Sequence, residues 1–269
     1  MANSIQEISW TGKQKDYVDI INIENFHHMS LGRFGGNSRA GQYKNEDGCL
    51  IWADEKETFE FAVILDAHKS ADSAELVILQ FNRKKEEILD LLSLSVEVTM
   101  KKIEKTILNL FQEEEFLSAC REVQGETACL IVLRKGKYLW WFSVGDCIAH
   151  LFNPELANLG QYQLNQRQFF EWVGEVNTFT QPIPCYSSGV RELRKGLNRI
   201  LLTTDGLVEC PGDPYSSPSD IYETLMSNPV EGGIRVLMEK IRDFNVRDST
   251  TLISWDVMIE QEATQPSDI

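Results

Sequence analysis

The sequence predicts an α+β fold in which a central, mostly antiparallel β core is flanked by helices. Two observations lead there. Short apolar runs bounded by Gly, Asn, Asp and Glu-rich turns open the chain, return in its middle and close it, which is the signature of strands. Between them lie two stretches with apolar residues at helical spacing. The order is therefore strands, helices, strands, helices, strand. A doubly wound parallel sheet needs regular β–α alternation, and this order does not supply it.

The first sixty residues read as strands: SIQEISW from Ser4, YVDIINIENF from Tyr17, a stretch through HHMSLGRFGG, then CLIWAD from Cys49 and TFEFAVILD ending at Asp66. From Ala71 to about Val123 the period changes to that of helices, with Val96, Met100, Ile103, Ile107 and Leu110 on one face, and a helical pair or triplet is expected. Strands resume as ETACLIVLR, KYLWWFSVGD and CIAHLF. Lys135-Gly136 is the expected hairpin turn, and three strands in succession predict an antiparallel meander. After Asn153-Pro154 a Gln-, Asn- and Pro-rich stretch reads as surface loop with a short helix from Phe169 to Trp172. LNRILLTTDGLVE is an apolar strand ending in Asp-Gly, two helices follow at about Ser219–Met226 and Gly232–Phe244, and a last strand spans Ser249–Ile259. Residues 1–259 are expected to form one domain, and 260–269 a disordered polar tail.

Charge narrows the function. Against 26 basic residues stand 41 acidic ones, a net charge of -15 at pH 7, with no segregated basic patch to grip a nucleic acid or an anionic membrane. The amino terminus lacks the basic start and apolar run of a secretory signal, and no segment approaches the ~18 apolar residues of a membrane span, so a cytoplasmic protein is expected. Six cysteines occur singly, without a CxxC pair, and read as free thiols. His27, His28 and His150 receive no ligand role, and Trp140, Trp141 and Phe142 read as core.

The informative feature is where carboxylates fall. Glu46-Asp47 precedes one strand, Asp66, Asp146 and Asp205 end three others, and Asp248 opens the last. Such positions put acids on the rim of a packed sheet, held by a rigid element and open on one side. Converging there, they repel unless a cation neutralises them. Oxygen ligands with no Cys or His cluster select a hard ion, Mg²⁺ or Mn²⁺, over zinc.

Six pieces in order resemble the type 2C metal-dependent protein serine/threonine phosphatases, from about Gly35 to Val257. They are Asn45-Glu46-Asp47, Asp66-Ala67-His68-Lys69-Ser70 where the family has DGHGG, Gly125-Glu126-Thr127-Ala128, Val144-Gly145-Asp146-Cys147, Thr204-Asp205-Gly206-Leu207 and Asp248-Ser249-Thr250-Thr251. The resemblance implies a β-sandwich with helix pairs on both outer faces and two metal ions at one end. By the same resemblance Asp66 bridges both ions, Glu46, Asp205 and Asp248 complete one side, the Ala67 carbonyl the other, and Asp47 holds bound water. Asp146 and Glu209 match a third, weaker metal site, and His68 the general acid that protonates the leaving alkoxide.

The chain also departs from the pattern. Gln42 stands where the family places a phosphate-gripping arginine, leaving Arg39 as the nearest candidate for that role. Lys69 and Ser70 replace two glycines, so any backbone that required glycine is expected to differ, and Ser249 replaces an asparagine. Two readings follow: a divergent enzyme hydrolysing phosphoserine and phosphothreonine proteins, or a catalytically weak module that binds and regulates a phosphoprotein. Retention of mutually repelling acids favours the enzyme.

Overall fold

A computed structural model of the chain describes residues 5–264. Its strands are β1 (Ile5–Thr11), β2 (Asn22–Phe26), β3 (Met29–Phe34), β4 (Gly48–Asp54), β5 (Phe59–Ala67), β6 (Glu126–Lys135), β7 (Tyr138–Val144), β8 (Ile148–Phe152), β9 (Val173–Gly174), β10 (Ser187–Glu192), β11 (Gly196–Thr203) and β12 (Thr250–Ile259). The α-helices are α1 (Asp72–Arg83), α2 (Lys85–Ser93), α3 (Val96–Phe111), α4 (Glu114–Cys120), α5 (Pro154–Asn158), α6 (Pro218–Met226) and α7 (Val230–Asp243).

Two antiparallel sheets form a sandwich. One runs β1-β4-β5-β6-β7-β10 with β9 appended to β6, the other β2-β3-β12-β11-β8. The period of two along each strand sorts the side chains into three cores. In β4, Leu50 and Trp52 face α1–α4 on the outside, while Cys49, Ile51 and Ala53 face the second sheet. In β11, Ile200 and Leu202 turn into the sandwich and Leu201 turns out to α6 and α7. Both faces of both sheets are thus covered, which is why the strands read as nearly unbroken apolar runs. Trp140 and Phe142 belong to the outer core beneath α3, and Trp141 packs against the inner one.

Several expectations are corrected. The helical stretch divides into four helices rather than two or three; Ser95 accepts from the Val98 N–H and restarts the chain as α3 after α2 ends. The meander stops after two strands: β6 and β7 pair, but β8 crosses to the other sheet and pairs with β11. Gly145, at φ 88, turns the chain between them. No helix forms at Phe169–Trp172; a short one stands earlier, where Pro154 begins α5 and Asn153 accepts from the Glu155 N–H. Residues 187–192, with no apolar pattern, form β10 because the edge of β7 offers them a hydrogen-bonding partner. Residues 17–21 lie outside any strand, and the expected tail extends past the described residues, which end at 264. All six cysteines are free, with Cys185 exposed and the rest buried. Among the described residues no helix is long and apolar enough to cross a membrane.

Candidate metal centre

Strand register assembles the acids. The start of β4 pairs with the end of β5, Gly48 opposite Leu65, so Asp47 and Asp66 share one rim. Asp66 faces Ala128 on β6, whose neighbour Cys129 faces Val144 at the end of β7, two residues before Asp146. In the second sheet Thr203 pairs with Leu252, which sets Asp205 and Asp248 at the same end. Gly145 makes the join possible, because a Cβ there would stand 2.5 Å from the Ala128 Cβ. Two of the sequence pieces, Gly-Glu-Thr-Ala and Val-Gly-Asp, therefore press on each other.

Carboxylate oxygens of Asp66, Asp146 and Asp205 lie within 4.8 Å of one another. All three residues are buried, and each has one oxygen with no hydrogen-bond partner. Buried carboxylates left this way are costly unless a cation is shared among them, so the donor set fits a hard divalent ion. The electrostatics agree. Burial first, and then Asp205, Asp47, Asp248 and Asp146, push the Asp66 carboxyl well above the usual range. Asp205 is pushed up to about 7 by burial and by Asp248 and Asp146.

Asp47 is held differently. Its Oδ2 accepts from Thr251 Oγ1 at 2.7 Å and Thr204 Oγ1 at 3.2 Å, while its N–H donates to Asn45 Oδ1 at 3.0 Å. Its carboxyl is likewise pushed up by burial, the Thr251 bond opposing. Thr204 and Thr251 had no distinguishing signal in the sequence beyond standing beside Asp205 and following Asp248.

A cleft opens above the rim, lined among others by Gln42, Glu46, His68, Glu209, Arg247 and Asp248. The His68 ring meets the edge of Trp172 at 4.8 Å between centroids, and the His68 backbone N–H donates to the Glu126 carbonyl. Ala67 lies in β5 with ordinary extended backbone. Lys69 stands where the resembled pattern has glycine. It adopts φ 69, the left-handed conformation open to glycine, and its ammonium is tied to Glu175 at 3.1 Å. Arg39 stands apart from this cleft, in a depression shared with Asp19, Arg242 and Asp243.

Sequence reasoning missed the cations. Arg167, from the Gln- and Asn-rich loop, reaches over the rim to Asp146 at 3.3 Å, Asp205 at 3.5 Å and Glu209. Lys44 bonds Glu46 at 2.5 Å. Lys44 stands two residues before Glu46, so its contact is local, whereas nothing local marks Arg167, which is brought in by a loop that only the tertiary structure places.

The class that fold and rim together define is the type 2C metal-dependent serine/threonine phosphatase fold. The chain is similar over nearly its whole length to solved bacterial phosphatases of this kind. A bacterial serine phosphatase variant matches 95% of this chain and 99% of its own, at 15% identity and TM-score 0.58. RsbX in complex with magnesium matches 88% and 100%, at 17% and 0.54. The catalytic domain of the serine/threonine phosphatase PstP with two manganese ions matches 94% and 98%, at 14% and 0.53. No family model and no curated protein matches the chain by sequence.

Proposed function

We propose that the chain is a metal-dependent protein serine/threonine phosphatase, cytoplasmic, acting on phosphoserine and phosphothreonine monoesters. The observation that carries this reading is the meeting of three buried, unpartnered carboxylates, Asp66, Asp146 and Asp205, at one end of the sandwich. Solved relatives of the same fold hold magnesium or two manganese ions. Such ions, when bound, supply a water acidified for attack on phosphorus.

The remaining steps fall to the chain's own groups. Asp66, Asp205, Asp248, Glu46 and the Ala67 carbonyl are the proposed ligands, with Asp47 locked by its threonines behind them. Asp146 and Glu209 are the proposed third site, with Arg167 lying across it. His68, walled by Trp172, lines the cleft, and its proposed role is to protonate the leaving alkoxide.

Phosphate recognition is assigned to Arg247. It is exposed, lines the cleft beside Asp248, and has no side-chain partner among the described residues. Lys44 and Lys69, the other cations of the cleft, are committed to Glu46 and to Glu175. Position 42 adjoins it: a Cβ on Gly36 would stand 2.0 Å from the Arg247 carbonyl oxygen and 3.0 Å from Gln42 Cγ. Gln42 and Arg247 line the same cleft and Arg39 does not, which supports Arg247 as the residue that serves the space Gln42 leaves without a charge.

Hydrolysis of a phosphothreonine peptide with and without Mn²⁺ tests the proposal; no metal-dependent turnover would sink it. The second reading, a catalytically weak module that binds a phosphoprotein, draws on Arg167, whose guanidinium competes for carboxylates that an ion needs.

A further inference from the structure

At the far end of the sandwich a second group of ligand atoms meets. The two-residue turn between β2 and β3 is His27-His28, and Glu57 lies in the turn between β4 and β5. Asp47 precedes β4 and Asp66 closes β5, so this end is separated from the acidic rim by the length of β4, about 20 Å at some 3.3 Å per residue. His27 Nδ1 and His28 Nδ1 are 2.6 Å apart, and Glu57 Oε1 lies 3.9 Å from the first and 3.8 Å from the second.

The opposite edge of His28 is fixed from below. Its Nε2 lies 2.9 Å from Glu60 Oε1, a carboxylate with no exposed surface that is itself clamped by the buried Arg134. The negative charge of Glu60 beside Nε2 favours the ring proton on that nitrogen, which leaves the Nδ1 lone pair of neutral His28 on the side of His27 and Glu57. A buried carboxylate that sets the tautomer and raises the basicity of an imidazole is the usual support of a metal-binding histidine.

We propose that His27, His28 and Glu57 form a binding site for a borderline transition ion of the Zn²⁺ class, separate from the acidic rim. Two imidazole nitrogens and one carboxylate oxygen suit such an ion better than Mg²⁺. At Zn–N distances of about 2.0 to 2.1 Å the two nitrogens part to about 3.3 Å, a shift of under about 1 Å in two partly buried side chains at a turn. The fourth position is left to water. The ion would tie a turn of one sheet to a turn of the other, and clamp the sandwich at the end away from the cleft.

The test is Zn²⁺ titration of the full chain by calorimetry and thermal melting in saturating Mg²⁺, comparing wild type with His27→Ala and Glu57→Gly. Binding of Zn²⁺ at the acidic rim is common to all three, so the difference reports this site alone. Wild type should bind one more Zn²⁺ than His27→Ala, with micromolar-range affinity and a raised melting temperature. Loss of Glu57, which lies in an exposed turn at φ 55 that glycine accepts, should weaken that binding at least about tenfold. Equal Zn²⁺ binding in all three proteins overturns the site, and so does no binding in wild type, which would leave a His–His hydrogen bond only.

Discussion

Arg167 Nη2 lies 3.3 Å from Asp146 Oδ2, and the same nitrogen reaches Asp205 and Glu209. One side chain thus spans the acids that a third ion would need and relieves part of their repulsion before any metal arrives. Removing it by Arg167→Ala should destabilise the metal-free protein by about 0.5 to 2 kcal/mol, since Arg167 is partly buried but its partner Glu209 is half exposed and screened. It should also free a site, so that Mn²⁺ titration counts one ion more than in wild type. Unchanged melting in chelator together with unchanged stoichiometry would show that Arg167 is a bystander.

The acidic rim sets the pH response of the metal-free chain. Folded-state pKa values are raised at Asp47, Asp66 and Asp205, the last to about 7. Their contribution is fully present below the unfolded value near 4 and is lost as pH rises through the folded values. Asp205→Asn should therefore melt at or above wild type near pH 8 in chelator, with the gain fading towards pH 4. A collapse of the variant at pH 8 would mean that Asp205 is structural.

His150 slopes the other way. It is buried, stacked on Phe152, with both ring nitrogens unpartnered, and burial pushes its pKa down to about 4. Its folded pKa is depressed, so its contribution is full above 6.5 and is lost as pH falls towards 4, about 3 kcal/mol at 1.36 kcal/mol per unit. His150→Phe should flatten this limb of the stability profile measured by urea unfolding between pH 4 and 7. An equally steep limb in the variant assigns the acid loss elsewhere.

Metal removal should abolish turnover. Hydrolysis of a phosphothreonine peptide should vanish in chelator and return with millimolar-range Mn²⁺ or Mg²⁺, as open carboxylate sites require. Asp66→Asn should stay inactive at any metal concentration while keeping its apo melting temperature.

The two arginines near the missing charge separate cleanly. Arg247→Ala should raise KM for a phosphopeptide about five- to a hundredfold, at about 1 to 3 kcal/mol for a charge-assisted phosphate contact and 1.4 kcal/mol per decade. Arg39→Ala should change little. A large effect of Arg39 with none of Arg247 would relocate the phosphate to the neighbouring depression.

The sequence by itself determined most of the strands, the extent of the helical stretches and the carboxylates that end the strands, because each is written locally: a period of two, a period near 3.6, an acid where an apolar run meets a turn. It was enough to name Asp66, Asp146 and Asp205 as rim residues. It did not determine that β8 leaves the first sheet, that 187–192 becomes an edge strand, or that Lys69 adopts a left-handed backbone, since those depend on which edge is free and what packs above. Nor did it place the cations. Arg167 sits in a loop without periodicity, and Arg247 is one arginine among several until β12 and the 36–42 loop bring it beside Gln42. Glu57 is about thirty residues from the adjacent His27 and His28, and meets them only because two turns share one end of the sandwich. Local chemistry is legible in a chain, but the meeting of loops is decided by the sheets that carry them, and only the tertiary structure records it.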